Sequence, residues 1–172
     1  MDYQDIKDSI ISIQDFPKKG ISFKDITPLF LSPKKIDFIL DEMQSFAKTI
    51  NFDIIVAPES RGFLFGLPLA IRMKKPFVPI RKKGKLPREV ISEEYDLEYG
   101  KSILEITKSD IPNNSKILLI DDLIATGGTT VAIQNLVKKL NSEVVGQAYL
   151  IELVDLCDYE KLQGKFFSMI KF

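Results

Sequence analysis

The chain has 172 residues, 45% hydrophobic and 28% charged, a size and balance that suit one folded domain and exclude a disordered polymer. Its 24 Lys and Arg offset 24 Asp and Glu, so no global field draws nucleic acid or an anionic membrane. A single cysteine, Cys157, and the absence of histidine exclude an intrachain disulfide, thiolate metal clusters, histidine-ligated zinc and imidazole catalysis. Carboxylates, hydroxyls, backbone amides, Lys, Arg and a hard cation such as Mg²⁺ remain for any chemistry.

Ile6, Ile10 and Ile13 follow a helical spacing that Phe16-Pro17 stops, so the chain is expected to open with a short amphipathic helix. Asp2, Asp5 and Asp8 stand where a signal peptide needs basic residues, and no apolar run approaches membrane-span length, which gives a cytoplasmic expectation. Ser32 and Pro33 read as N-cap and first helical position. Ile36, Ile39, Leu40, Met43, Ala47 and Ile50 then form the apolar face of a second helix ending near Ile50.

Phe52 to Ala57 is an apolar run without alternation, the pattern of a strand covered on both faces. A third helix is expected over Gly62 to Met73, bent or shifted by Pro68, and a buried strand over Phe77 to Ile80. From Arg81 to Lys108 the sequence is long and polar, with weak strand character at Arg88 to Ile91 and Ser102 to Glu105. Lys116 to Ile120, Thr129 to Leu140 and Glu143 to Ile151 read as strand, helix and strand. Such a unit implies a mostly parallel sheet with right-handed crossovers and a ligand site outside the carboxyl ends of its strands.

Ile117 to Thr130, ILLIDDLIATGGTT, places Asp121 and Asp122 at the end of a buried strand and a Thr-Gly-Gly-Thr-Thr turn at a helix start. Gly127 and Gly128 let the backbone curl around an anion, the helix N-terminus offers unpaired N–H groups, and Thr126, Thr129 and Thr130 add hydroxyls. The Lys of a nucleotide-binding P-loop is absent. Acids beside a phosphate cup suit the vicinal hydroxyls and phosphate of a ribose 5-phosphate. The plain alternative is a turn whose Asp and Thr residues only cap; strand, acid pair and cup together favour the anion site.

This loop closely resembles the phosphoribosyl pyrophosphate (PRPP) motif of the type I phosphoribosyltransferases, and the whole chain looks like the adenine-using branch of that family. The likeness extends through DFPKKGISFKDITPLF (Asp15 to Phe30), ESRGFLFG (Glu59 to Gly66), IRKKGKLP (Ile80 to Pro87), LEYGK (Leu97 to Lys101) and IEL (Ile151 to Leu153). It implies one domain over residues 1–172: a central mostly parallel sheet flanked by helices, a small hood from about 1–34 and a mobile loop at about 84–102.

The resemblance also assigns roles. Residues 125 to 130, from Ala125 through Thr126, Gly127, Gly128 and Thr129 to Thr130, hold the 5-phosphate, with Asp121 and Asp122 on the sugar. Ser60, Arg61, Arg81, Lys82 and Lys85 serve the pyrophosphate, Arg61 also catalytically, and a cis peptide at Glu59-Ser60 belongs to that turn. Phe23 stacks on adenine with Leu153 on its other face, while the backbones of Ser22 and Lys24 meet the base edge; the family commonly has an aliphatic residue and Arg at these two positions. Glu98 handles the proton at N7. Ala125 stands where 6-oxopurine enzymes typically carry Asp.

The implied reaction is adenine plus PRPP giving AMP and pyrophosphate, with Mg²⁺ held mainly by substrate oxygens rather than protein side chains and the 84–102 loop excluding water. A homodimer follows by analogy, with the basic residues near Arg81 completing the partner's site. Two other readings stay open: a phosphoribosyltransferase for another purine such as hypoxanthine or xanthine, and a purine-sensing regulator without catalysis. Such regulators carry an added DNA-binding domain, for which 172 residues leave no room.

Overall fold

The structure, a computed structural model, describes residues 1–97 and 100–172. The chain divides into two compact units, Met1–Glu42 and Met43–Phe172, each built differently.

The first unit opens with α1 (Tyr3–Lys7), capped reciprocally: Asp5 N donates to Asp2 Oδ1 and Asp2 N to Asp5 Oδ2, both at 2.9 Å. The helix stops well before Ile13. Ile11–Gln14 is instead strand β1, antiparallel to β2 (Ser22–Asp25), with Ile13 opposite Phe23. Isoleucines at 6, 10 and 13 suggest one helical face, but only Ile6 and Ile10 are buried, while Ile11 and Ile13 are exposed. The long helix α2 (Pro33–Ala47) begins at the predicted Pro33, buries Ile39, Leu40, Met43 and Ala47, and contains the boundary between the units.

The second unit is a seven-stranded sheet. Its strands are β3 (Ile54–Pro58), β4 (Phe77–Lys82), β5 (Val90–Leu97), β6 (Gly100–Thr107), β7 (Lys116–Ile124), β8 (Glu143–Glu152) and β9 (Lys165–Lys171), in the order β5-β6-β4-β3-β7-β8-β9. The five strands β4, β3, β7, β8 and β9 run parallel, and β5 and β6 form an antiparallel hairpin on one edge. That hairpin occupies most of the polar segment that the sequence marks as a long loop, and it extends both weak strand signals. The final parallel strand, KFFSMIK, has no counterpart in the sequence reading.

Helix α3 (Phe63–Met73) runs on through Pro68 and connects β3 to β4; α4 (Gly128–Lys139) connects β7 to β8. The two connections leave the adjacent strands β3 and β7 in opposite directions across the sheet, so right-handed crossovers put the helices on opposite faces. On the α4 face, Ala132, Ile133, Leu136, Val137 and Leu140 pack with Ile54, Val56, Val78, Ile80, Ile117 and Leu119 into one apolar core. Alternate residues of uniformly buried strands therefore serve both faces. The gap between the carboxyl ends of β3 and β7 is the topological switch point, where open parallel sheets bind ligands.

Candidate active site

Two turns meet at that switch point. The first follows β3: the Glu59-Ser60 peptide is cis, as the resemblance implies, and Arg61 and Gly62 lead into α3. A Cβ on Gly62 would lie 2.7 Å from the Pro58 carbonyl oxygen and 2.9 Å from Asp121 Oδ1, so only glycine lets this turn close against β7. The second turn follows β7, which is longer than the sequence suggests. Asp121 and Asp122 sit inside the strand, not beyond it, with Asp121 opposite Tyr149 and Leu123 opposite Ile151 on β8.

Successive strand residues face opposite ways, so the two acids have different surroundings. Asp122 is buried and forms an ion pair with Arg61, Nη2 to Oδ2 at 2.8 Å. Oδ2 is enclosed, with the Arg61 guanidinium beside it and no aligned hydrogen bond among the described residues. Asp121 is partly buried, and its Oδ1 accepts from Asp122 N at 2.8 Å.

Burial pushes the Asp121 carboxyl well above the ordinary carboxylate value, and the neighbouring Asp122 charge adds to the rise. Asp122 is also raised by burial, against which the Arg61 guanidinium works. The pair thus concentrates proton affinity beside a single cation, an arrangement that a ligand donating hydroxyl hydrogens would relieve.

Gly127 adopts φ +84, the left-handed conformation that favours glycine, and serves as the N-cap of α4. Gly128 N lies 3.4 Å from Thr126 Oγ1, a contact at the weak end of hydrogen-bond distance, and Val131 N closes the first turn onto Gly127 O at 2.9 Å. Amides 128 to 130 therefore head the helix and supply the positive end of its dipole. Thr126 is exposed, and Ala125 and Thr129 are partly exposed. Thr130 differs. Its buried hydroxyl lies 2.7 Å from Tyr149 OH, which donates to Gln147 Oε1 at 2.9 Å, so Thr130 spends its hydroxyl hydrogen inward; only its backbone amide faces the helix start.

The basic residues divide as well. Arg81 Nε and the Lys82 amide both meet Glu59 Oε1, at 3.2 and 2.7 Å, which ties the end of β4 to the cis turn. Lys82 and Lys85 lie exposed on the turn beyond it. The sequence alone assigns Glu59 no role; its one signal is an acid beside the expected cis peptide. A cavity of about 390 Å³ adjoins the cup, lined by Thr126, Gly127 and Gly128 together with Tyr95, Asn135 and Lys161, none of which the sequence reading singled out.

Leu153 follows β8 directly, its N–H donating to Ile124 O at 2.9 Å, which holds it at the carboxyl edge of the sheet. In the first unit, Ser22, Phe23 and Lys24 lie in β2; the Phe16 and Phe23 rings meet edge to face with centroids 5.2 Å apart, and Lys24 Nζ donates to Ser12 Oγ at 2.8 Å. Burial and then the Lys7 charge lower the Lys24 pKa. Glu98 lies outside the described residues.

A mostly parallel sheet, an acid pair at its switch point and a glycine-headed helix beyond it form the arrangement that the resemblance implies for a phosphoribosyl-handling protein. Residues 33–170 match the phosphoribosyl transferase domain, and the chain belongs to that family. It is 78% identical over 172 residues to the adenine phosphoribosyltransferase of Malacoplasma penetrans, covering 100% of both chains. The crystal structure of adenine phosphoribosyltransferase from Thermoanaerobacter pseudethanolicus superposes with a TM-score of 0.94 at 46% identity, covering 99% of each chain. The Saccharomyces cerevisiae enzyme, crystallised with adenine and an imino-altritol bisphosphate, gives 0.90 at 36% identity over 98% of each. The fold is that of the type I phosphoribosyltransferases.

Proposed function

We propose that this protein transfers the 5-phosphoribosyl group of PRPP to adenine, giving AMP and pyrophosphate in purine salvage. The observation that carries the reading is the Asp121-Asp122 pair beside Arg61 at the switch point, on the strand that leads directly into the glycine-headed helix α4. Sugar hydroxyls would donate to the acids as the 5-phosphate meets the helix-head amides. The relatives' activity on adenine makes that base the first choice.

In this scheme the Thr126 hydroxyl and the amides of 127 to 130 hold the 5-phosphate, and Asp121 and Asp122 orient the ribose. Arg61, with Ser60 and the Arg81, Lys82 and Lys85 group, stabilises charge developing on the departing pyrophosphate. Phe23 and Leu153 are the base-binding side chains, Ser22 and Lys24 present backbone groups, and Glu98 moves the N7 proton. Segment 84–102 excludes water from the cationic sugar. Mg²⁺ would be held mainly by PRPP oxygens rather than by protein side chains, and would supply positive charge that offsets the phosphates.

A homodimer and a cytoplasmic location belong to the same proposal. Leu64, Leu67 and Ile71 present an exposed apolar stripe at helical spacing on α3, a surface suited to a second copy and checked by sedimentation. The activity is tested by mixing the purified protein with PRPP, Mg²⁺ and adenine, hypoxanthine or xanthine in turn. AMP formed from adenine, well ahead of the 6-oxopurine products, is the expected outcome. PRPP binding without turnover of any base would instead support a regulator.

A further inference from the structure

Helix α4 buries two polar side chains on a face otherwise made of Ala132, Ile133, Leu136 and Val137: Thr130 and, one turn on, Gln134. Buried amides and hydroxyls cost free energy unless every bond is satisfied, and an apolar residue would pack this face more simply. Here both the nitrogen and the oxygen of the buried carboxamide have a partner. Gln134 Nε2 donates to Lys161 O at 3.0 Å, and its Oε1 accepts from Gln163 N at 2.9 Å, so one carboxamide spans both ends of a three-residue backbone segment.

The same segment is gripped from the other side. Gln147 Nε2 donates to Gln163 O at 2.9 Å, Gln147 Oε1 accepts from Tyr149 OH at 2.9 Å, and Tyr149 OH meets Thr130 Oγ1 at 2.7 Å. A chain of three side chains, Gln147, Tyr149 and Thr130, thus runs from segment 161–163 back to the head of α4, where Gln134 holds the same segment directly. Between its two clamps lies Leu162, whose Cδ2 is 3.4 Å from where a Cβ on Gly127 would stand, and Lys161, which lines the cavity shared with Thr126, Gly127 and Gly128.

We propose that Gln134 is a positioning residue for the phosphate cup, clamping segment 161–163 so that Leu162 backs Gly127 and the helix-head amides stay converged. The inference rests on the phosphoribosyl reading above. Gln134 touches no substrate in it; the carboxamide fixes the wall against which the left-handed Gly127 is held. Tyr149 and Gln147 extend the grip to Thr130, so the first turn of α4 and its outer wall behave as one body. Loosening the clamp weakens the 5-phosphate contacts, which PRPP binding uses, without altering the base site.

The experiment uses the full chain and two variants. Gln134→Leu keeps the volume and removes both hydrogen bonds, leaving the Lys161 carbonyl and Gln163 amide without their partner. PRPP KM is expected to rise about tenfold, with kcat and adenine KM within about twofold of wild type, the pattern of lost uniform binding. Tyr149→Phe deletes one hydroxyl from the chain and should raise PRPP KM about two- to fourfold. The ³¹P resonance of bound ribose 5-phosphate should shift in both variants.

Wild type that shows no bound ³¹P resonance would sink the phosphoribosyl reading itself. Wild type that binds, with folded Gln134→Leu matching it in PRPP KM and ³¹P shift, overturns the positioning role alone. Should Gln134→Leu not fold, Tyr149→Phe decides by the same two readouts.

Discussion

The β7–α4 turn and the β5–β6 hairpin both contribute candidate site residues, and they are held by opposite means. The turn grows from a strand paired on both sides, its glycine backed by Leu162, its first helical residues tied down by buried hydrogen bonds. The hairpin hangs from the sheet edge. Leu104 and Ile106 anchor it in the core, with Ile91 and Tyr95 packed against them, and its outer strand meets α4 through Asn135 and Lys139 on Glu93 and Ser92; its other polar contacts are surface ion pairs, Arg88 with Asp110, Lys108 with Glu89 and Lys101 with Glu94. A cup that must present dipoles to an anion gains from being fixed before the ligand arrives. Contacts that exchange with water suit a segment that opens more readily than the sheet it borders.

The sharpest way to break this comparison is at the acid pair. Asp122→Asn keeps the shape and removes the charge that Arg61 pairs with and that a ribose hydroxyl would meet. Charge-assisted bonds of this kind contribute roughly 1.5 to 3 kcal/mol, so kcat/KM for AMP formation should fall by about ten- to a hundredfold in steady-state assays. A folded variant with wild-type kinetics would remove Asp122 from the site.

Asp121 gives a smaller and opposite effect on stability. Its folded pKa is raised, so between its ordinary value and that raised value the native chain binds more protons than the unfolded one, and stability falls as pH rises. The favourable contribution is complete below the unfolded carboxylate range and lost as pH climbs through the folded value. Asp121→Asn removes this loss: its thermal midpoint should exceed that of wild type at pH 8 and converge with it near pH 4, while activity drops. Equal midpoints at both pH values would show that the carboxyl is not held unfavourably. The turn would then be rigid without being strained electrostatically.

What the sequence discloses follows the same division. The helices at 33–47, 63–73 and 128–139 and the central strands are visible because their apolar periods are local properties of the chain. The acid pair and the glycine cup are visible because chemistry confines such residues to few uses. Three features stay hidden for one physical reason, namely that their causes lie far along the chain. Asp121 and Asp122 look like the end of a strand until their pairing with β8 carries it to Ile124. Thr130 looks like one more phosphate hydroxyl until Tyr149, 19 residues later, takes its hydrogen. The isoleucines at 6, 10, 11 and 13 satisfy helix and strand spacing alike, and only the partner strand Ser22–Asp25 decides. Gln134 carried a signal that could have been read, a lone carboxamide on an apolar helix face.

The smallest expected effect tests the hairpin side. Arg88 places Nη1 and Nη2 on the two oxygens of Asp110 at 2.7 and 2.6 Å, and this bond holds the Asp110 carboxyl below its ordinary range. The contribution is therefore present above the unfolded carboxylate value and lost as pH falls through the depressed one. Because the pair is open to solvent, Arg88→Ala should move the global thermal midpoint by no more than about two degrees. Amide exchange in β5 and β6 should nevertheless quicken several-fold, while the amides of α4 keep their protection, and 0.5 M salt should reproduce part of that change in the wild type, about as screening predicts. If instead α4 loosens together with the hairpin, the two regions form one cooperative unit, and a turn fixed independently of the hairpin is no longer tenable.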